Sequence, residues 1–396
     1  MRALDGITVI ALEHAIAAPF CTRQLADLGA RVIKIERPGV GDFARGYDER
    51  VRGLASHFVW TNRSKESLTL DVKHPEAAPI LGKLVARADV LVQNLAPGAA
   101  ARLGLSYDAL RAANPRLIIC DISGYGADGP YRDKKAYDLL IQSESGFLSI
   151  TGSPDEPAKA GCSIADIAAG MYAYSHILAA LLERGKTGVG KAVDISMLES
   201  MVEWMGFPLY YAYGGAAPPL RAGAAHATIY PYGPFVTGDG KTVMLGLHNE
   251  REWVVFCEQV LRQPALATDE RFASNSKRTA ARVALRAIIV EAFAPFTATQ
   301  VIERLDAAGI ANAQMNDMHD VWAHPQLAAR KRWVEVGTSA GPVLAPLPPG
   351  VVRGTSDDAI PRMDPVPALG EHTDAILREL GYDDAAIAAL RAAKAV

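Results

Sequence analysis

The chain has 396 residues, of which 49% are hydrophobic and 21% charged, and its formal net charge at pH 7 is −3. This composition is typical of a soluble globular protein, and the length predicts two domains or one large domain with an insertion. The slightly negative charge gives no reason to expect nucleic acid or an anionic membrane as a partner.

The N-terminal sequence and the cysteines both favour a cytoplasmic protein. The first residues, MRALDGITVIALEH, lack the long apolar core and the small-residue cleavage site of a signal peptide. The cysteines lie far apart without C-x-x-C spacing, which predicts reduced thiols and no structural zinc. No H-E-x-x-H motif occurs, so we expect no bound metal.

The first half of the chain alternates between short β-rich segments and helical patterns. Such alternation predicts βαβ units, and therefore an α/β fold with a mostly parallel, Rossmann-like sheet covered by helices. The predicted strands are 7–13, 31–36, 67–72, 89–94, 116–123 and 192–197, and the helical patterns between them are 18–29, 75–88 and 98–114.

The pattern changes after about residue 200, where a hairpin over 230–247 and three helices predict a smaller α+β domain. The helices are expected at 250–262, 276–294 and 297–308, the last opened by Thr297-x-x-Gln300. The predicted organisation is a large domain beginning with 1–200, a linker 201–224, the small domain 225–320, and a linker and C-terminal return 321–396. That return includes a proline-rich stretch, 342–367, and helices at 373–381 and 383–395.

One acid interrupts the apolar run 164–182, which is long enough to span a bilayer. Asp166, His176 and the many alanines favour a buried core helix instead. Ser163 and Asp166 form an S-x-x-D pattern typical of a helix start, where the N–H groups and the helix dipole keep a carboxylate ionised. Small residues leave room beside Asp166, so it could be a simple cap or a carboxylate nucleophile.

Cations follow several predicted strands of this acidic protein, at the edge where parallel sheets bind ligands. Arg37, Lys73 and Arg102 could form an anion site for a phosphorylated ligand, or they could simply solubilise loops. The first strand lacks a following G-x-G-x-x-G, which argues against a nicotinamide cofactor. Residues 185–192, GKTGVGKA, resemble a P-loop, but Ala192 replaces the required Ser or Thr and a strand follows.

The sequence resembles the class III CoA-transferases along almost its whole length. The resemblance begins with LDGITVIALEHAIAAPFCTRQLADLGARVIKIERPGVGDFARG and continues through ADVLVQNLAPGAAARLGLSYDALRAANPRLI, AYDLLIQSESG, ADIAAGMYA and LGEHTDAILRELG. The family includes formyl-CoA transferase and carnitine CoA-transferase, with the α-methylacyl-CoA racemases as relatives. It implies transfer of CoA from an acyl-CoA to a small carboxylic acid, no tightly bound cofactor, and an interlocked homodimer.

The resemblance also implies roles for individual residues. An aspartate at the position of Asp166 is the nucleophile, passing through a mixed anhydride to an aspartyl-CoA thioester. The positions that would contact CoA or border the active site are His14, Ala15, Arg37, Leu70, Lys73, Asn94, Leu95, Arg102, Leu103, Lys135 and Tyr137.

Departures from the family pattern bear on the substrate. Ile16 stands where formyl-CoA transferase has a glutamine, and no poly-glycine loop is evident, so we expect an acid larger than formate or oxalate. Arg221 and His226 could meet a second carboxylate, as in succinate or mesaconate. Tyr137 replaces the histidine of the racemases, which argues against an isomerase. A racemase-like isomerase and an inactive CoA-binding protein remain as alternatives.

Overall fold

The structure is a computed structural model that describes residues 2–350 and 361–396. Part of the predicted proline-rich stretch, residues 351–360, lies outside the described residues. The chain divides into two compact units, the first formed by Met1–Ser145, Gly161–Trp204 and Leu327–Val396, and the second by Gly146–Ala160 and Met205–Gln326. The second unit thus also takes in a short segment from within the first half of the chain.

The strands, in chain order, are β1 Thr8–Leu12, β2 Arg31–Glu36, β3 Lys65–Thr69, β4 Val90–Gln93, β5 Ile118–Ser123, β6 Ala192–Ser196, β7 Tyr232–Val236, β8 Thr242–Gly246, β9 Ala311–Gln314, β10 Trp333–Val336 and β11 Val343–Pro346. The helices are α1 Ala17–Asp27, α2 Ser56–Asn62, α3 Ala77–Ala86, α4 Ala99–Arg102, α5 Tyr107–Leu110, α6 Asp138–Glu144, α7 Phe147–Ile150, α8 Ile164–Thr187, α9 Met197–Trp204, α10 Gly206–Tyr211, α11 Glu250–Val255, α12 Asn275–Ala280, α13 Arg282–Phe293, α14 Ala298–Ala307, α15 Met318–Trp322, α16 Pro325–Ala329, α17 Thr373–Glu379 and α18 Asp384–Ala392.

The first unit is built on a six-stranded sheet of order β3-β2-β1-β4-β5-β6, and every neighbouring pair in it is parallel. This arrangement confirms the predicted α/β fold, and the order is that of the doubly wound nucleotide-binding sheets. It places β1 beside β4, where the direction of winding reverses. In such sheets the crevice at that reversal, outside the carboxyl ends of the strands, is the usual place for a ligand.

Both faces of the sheet are covered. On one face, alternate strand residues such as Ile10 and Leu91 form a hydrophobic cluster with α3, α17 and α18, so the C-terminal helices close the core that the first strands begin. Helices α1 and α8 pack on the opposite face, mainly against each other and, for α8, against β5 and β6. A Cβ at Gly170 would lie only 2.6 Å from the carbonyl oxygen of Ala17, so the small residues of α8 permit this close approach.

Helix α8 is long and apolar enough to cross a membrane by length and composition alone. Its small residues Ala165, Ala168, Ala169, Gly170 and Ala173 are buried within the first unit, as expected for a helix that packs on a sheet.

The second unit has its own core and an antiparallel sheet of order β7-β8-β9. The predicted hairpin is present as β7 and β8, which pair from Tyr232–Gly246 to Val236–Thr242. The predicted capping box at the start of α14 is also present, because Thr297 accepts from the N–H of Gln300 and the Gln300 side chain accepts from the N–H of Thr297. The helix predicted over 276–294 is instead two helices, α12 and α13, and the pattern at 98–114 gives only the short helices α4 and α5.

Candidate active site

The crevice between β1 and β4 is bridged by one side chain. The amide oxygen of Asn94, directly after β4, accepts from the N–H of His14, and its amide nitrogen donates to the carbonyl oxygen of His14, both at 2.9 Å. The structure therefore brings together two residues 80 positions apart that the sequence placed separately at strand ends. Both polar groups of the Asn94 side chain therefore hold the backbone of His14 in place.

The turn that follows β1 is held in an unusual conformation. Ala15 has a φ of +60°, in the left-handed region that disfavours residues with a Cβ. Its N–H donates to Oδ1 of the buried Asp42 at 3.1 Å. The His14 ring stacks on Phe43 with 5.3 Å between ring centroids. Burial lowers the pKa of His14, with Asp42 opposing that shift, so the ring is neutral at pH 7.

Asp166 is the third residue of α8, at the helix start that the sequence predicted. Ser163 is the N-cap residue, but its side chain makes no capping hydrogen bond. The cap comes from another helix. Oδ1 of Asp138, the first residue of α6, accepts from the N–H of Ala165 at 2.8 Å and from that of Asp166 at 3.3 Å. Oδ2 of Asp138 accepts from Gln142, which fixes the cap.

This capping arrangement changes the electrostatics of Asp166. Burial, together with the negative charge on Asp138, raises the pKa of Asp166 to about 7. From the sequence, the N–H groups of the helix start were expected to keep Asp166 ionised, but Asp138 accepts from the first of these N–H groups instead. Among the residues that the structure describes, no donor hydrogen-bonds to the Asp166 carboxylate. The site therefore holds a partly buried carboxylate that is poorly stabilised when ionised.

A tyrosine that the sequence analysis missed lies beside this carboxylate. Burial raises the pKa of Tyr47 to about 12, and the charges of Asp42, Asp166 and Tyr137 add to that shift. Tyr47 and Tyr137 are both substantially exposed, and a tyrosine hydroxyl can donate a hydrogen bond. Tyr47 could have been suspected from its position in GDFARGY, in the loop that follows β2 and leads to the same edge of the sheet.

The predicted phosphate-binding cations are exposed and follow the carboxyl ends of β2, β3 and β4. Arg37 follows β2, Lys73 lies in the turn after β3, and Arg102 ends α4 after β4. Within residues 2–350 and 361–396, none of these three side chains has an acidic partner. Lys135 is likewise exposed, two residues before Tyr137.

The predicted apolar contacts differ from one another in burial. Leu70 is only 1% exposed and belongs to the hydrophobic core, so its side chain cannot contact a ligand without rearrangement of that core. Leu95 and Leu103 are partly buried and pack against the same core from the loop after β4 and from the end of α4. The side chains of these two leucines can form apolar contacts with a ligand, whereas Leu70 contributes only to the hydrophobic core.

The two residues proposed for a second carboxylate belong to the second unit. The Arg221 guanidinium donates to the carbonyl oxygens of Ser153 and Pro154, which leaves Nη1 for another acceptor. Nδ1 of His226 accepts from two backbone N–H groups, so Nε2 carries the proton and is the available donor. Among the described residues, no group of three or more His, Cys, Asp or Glu side chains could hold a metal ion.

The profile of the CoA-transferase family III matches residues 4–373. The chain belongs to this family. It is 36% identical to a succinate–glutarate CoA-transferase of Agrobacterium fabrum over 95% of each chain, and 34% identical to an acetyl-CoA:oxalate CoA-transferase of Acetobacter aceti over 96% of each. A CaiB/BaiF family protein from Brucella suis has a similar structure, with a TM-score of 0.83 and 35% identity over 96% of this chain and 99% of the other.

Membership confirms the resemblance noted from the sequence and shows that the protein is an enzyme. This CoA-transferase moves CoA from an acyl-CoA thioester to a carboxylic acid.

Proposed function

We propose that this CoA-transferase works by covalent catalysis at Asp166, with a dicarboxylic acid as acceptor. The observation that carries the proposal is the Asp166 carboxylate itself, which lies at a helix start beside Asp138 and accepts no hydrogen bond within the described parts of the chain. An ionised carboxylate without donors is more nucleophilic than one solvated by water or held in an ion pair.

The reaction proceeds in four transfers. The Asp166 carboxylate attacks the donor thioester carbonyl, forming a mixed anhydride and releasing CoA thiolate. The thiolate then attacks the aspartyl carbonyl, which gives an aspartyl-CoA thioester and frees the donor acid as a carboxylate. The acceptor carboxylate attacks this thioester, forming a second anhydride and again releasing CoA thiolate. Attack of the thiolate on the acceptor acyl carbonyl gives the new acyl-CoA and restores Asp166.

The other residues of the site have supporting roles in this scheme. The ring of His14 and the backbone of Ala15 contact the pantetheine. Arg37, Lys73 and Arg102 neutralise the phosphates of CoA. Tyr47 and Tyr137 donate hydrogen bonds to carboxylate or anhydride oxygens next to Asp166. A tyrosine whose pKa is about 12 stays protonated throughout the working pH range, so Tyr47 is a donor and not a base.

The electrostatic coupling between the two aspartates predicts a pH dependence. Because Asp166 attacks as the anion and has a pKa of about 7 in the free enzyme, kcat/KM should rise with pH through about 7. Asp138→Asn keeps an oxygen for the helix cap but removes the negative charge. The pKa of Asp166 should therefore fall, and the acid limb of the profile should move to lower pH by about one unit.

The control for this measurement is Asp133→Asn, which removes an exposed carboxylate from the loop that leads into α6. Its profile should coincide with that of the wild type. If Asp138→Asn leaves the midpoint of the acid limb unchanged, the Asp138 charge does not govern the nucleophile.

The substrate proposal rests on the departures from the family pattern and on the relatives. Ile16 offers no hydrogen bond to a small acid such as formate. The relatives named above act on glutarate and oxalate, both of which are dicarboxylates. We therefore expect an acceptor that carries a second carboxylate.

A panel of acids tests this substrate class. With succinyl-CoA as donor, glutarate and mesaconate should be converted at least about tenfold more efficiently than butyrate, because one charge-assisted hydrogen bond contributes about 1.5–3 kcal/mol. Mass spectrometry of the acyl-CoA products gives kcat/KM for each acid. Equal efficiencies for glutarate and butyrate would contradict the dicarboxylate proposal, whereas CoA transfer itself would remain established.

We also propose that the protein forms an interlocked homodimer. Large apolar side chains are exposed on both units, among them Leu182 and Trp204 in the first and Phe207, Tyr210 and Leu220 in the second. Surfaces of this kind mark interfaces between proteins. Mass photometry at nanomolar concentration should show only the mass of two chains, because interlocked chains cannot separate without unfolding. Folded monomer that increases on dilution would rule out the interlocked arrangement.

A further inference from the structure

A cluster of charged side chains is buried beneath the turn that follows β1. Glu13, Lys34, Asp42 and Lys65 have fully buried side chains, and they lie near the carboxyl ends of β1 and β2 and at the beginning of β3. Nζ of Lys34 lies 2.8 Å from Asp42 and 3.4 Å from Glu13, while Nζ of Lys65 lies 2.7 Å from Glu13.

Lys34 remains charged although its side chain is fully buried. Burial alone would lower the pKa of Lys34, but Glu13 and Asp42 raise it above its usual value. Burial of ions is costly, and well-packed apolar residues of similar volume are often as stabilising as a buried ion pair. Stability of the fold therefore does not explain why Lys34 and Asp42 stand here instead of a methionine and a leucine.

Asp42 is directed at the turn. One of its carboxylate oxygens, Oδ2, pairs with Lys34, and the other, Oδ1, accepts from the N–H groups of Ala15 at 3.1 Å and Ala44 at 2.9 Å. The backbone N–H of Asp42 in turn donates to the buried Glu36, so the backbone of Asp42 is also held in place. Lys34 thus fixes the orientation of the acceptor on which Ala15 depends.

The conformation of Ala15 requires such support. A residue with a Cβ is strained in the left-handed region, so the turn would otherwise relax toward negative φ. Relaxation would rotate the peptide groups on both sides of Ala15. It would also displace the His14 ring from Phe43, the residue directly after Asp42.

We infer that Asp42, oriented by Lys34, is a positioning residue for CoA transfer: it holds Ala15 in the left-handed conformation, so that the turn is preformed for acyl-CoA. The inference rests on the proposed binding of acyl-CoA by His14 and Ala15. Affinity for acyl-CoA therefore depends on a buried ion pair that does not contact the substrate. Preorganisation of this kind improves binding because the turn need not be ordered when the ligand arrives.

The decisive variant replaces the pair by apolar residues, Lys34→Met with Asp42→Leu. No buried charge is left without a partner, because Glu13 still pairs with Lys65. We expect the double variant to fold with a melting temperature close to that of the wild type, while its KM for acyl-CoA rises at least tenfold and kcat changes less. Adding Ala15→Gly should recover at least threefold of the lost affinity, since glycine adopts positive φ without penalty.

Two further variants distinguish loss of the positioning role from an error in the proposed acyl-CoA site. If the double variant does not fold, Asp42→Ala alone, which removes the acceptor of the Ala15 N–H, is measured in the same way, with and without Ala15→Gly. His14→Ala tests the binding site itself, and an unchanged KM in that variant would mean that acyl-CoA is bound elsewhere. A raised KM for His14→Ala, combined with an unchanged KM in the folded pair variant or with no rescue by Ala15→Gly, would overturn the positioning role alone.

Discussion

Replacement of Asp166 by asparagine should lower the rate of CoA transfer by at least about three orders of magnitude, the scale observed when a nucleophile is removed. The amide cannot attack a thioester, and no other carboxylate at the start of α8 can replace it, since Asp138 is occupied by the helix cap. Initial rates should be followed by mass spectrometry on protein verified to be free of deamidation. Near-normal turnover would end the proposal of covalent catalysis.

The intermediate itself can be trapped. Incubation of the wild type with donor acyl-CoA and hydroxylamine should convert the Asp166 carboxylate to a hydroxamate, because the acyl-enzyme is the electrophile that hydroxylamine attacks. Peptide mapping should find this modification only when acyl-CoA is present and not in Asp166→Asn. Modification at a different carboxylate would assign the nucleophile elsewhere.

The Asp166→Asn variant should also be more stable than the wild type at high pH. Folding raises the pKa of Asp166 from its ordinary value of 3.8 to about 7, so the folded state binds this proton more tightly than the unfolded chain does. The free energy of unfolding of the wild type therefore falls as pH rises from about 4 through about 7. Asparagine does not ionise, and the difference in melting temperature should grow in favour of the variant between pH 5 and pH 8.

Replacement of Arg37 by alanine should weaken CoA binding by about 1–3 kcal/mol, roughly 5- to 150-fold, the range for a charge-assisted hydrogen bond to phosphate. Arg37, Lys73 and Arg102 follow β2, β3 and β4 at one edge of the sheet, without an acidic partner in the described part of the protein. The three single variants and the triple variant should be titrated with CoA by calorimetry. We expect each loss to decrease as salt concentration rises, because the contacts are exposed.

Arg111 provides the control for these cations. It is also exposed, but it lies just before β5, at the opposite edge of the same sheet. Arg111→Ala should bind CoA as tightly as the wild type, and all variants should retain their melting temperatures. If all three strand-end variants bind CoA normally, the phosphates lie elsewhere and the proposed CoA site is wrong.

Several features were determined by local sequence alone. The alternation of apolar β-rich segments with helical patterns predicted the six parallel strands, because buried parallel strands and covering helices have different hydrophobic periods. The capping box Thr297–Gln300 could also be predicted from the sequence, because its hydrogen bonds join residues only three positions apart. The place of Asp166 at a helix start also followed from its immediate neighbours.

The chemistry of the site was decided by contacts between distant residues. Asp138 caps α8 from 27 positions away and raises the pKa of Asp166, and Asn94 holds His14 across 80 positions. The pattern around Asp166 predicted a carboxylate that the helix start keeps ionised, because a local pattern cannot reveal which acceptor reaches the N–H groups there. Burial and the charges of neighbouring groups set a pKa, and both depend on how the whole chain packs. Sequence alone therefore located the carboxylate, and tertiary structure determined its charge.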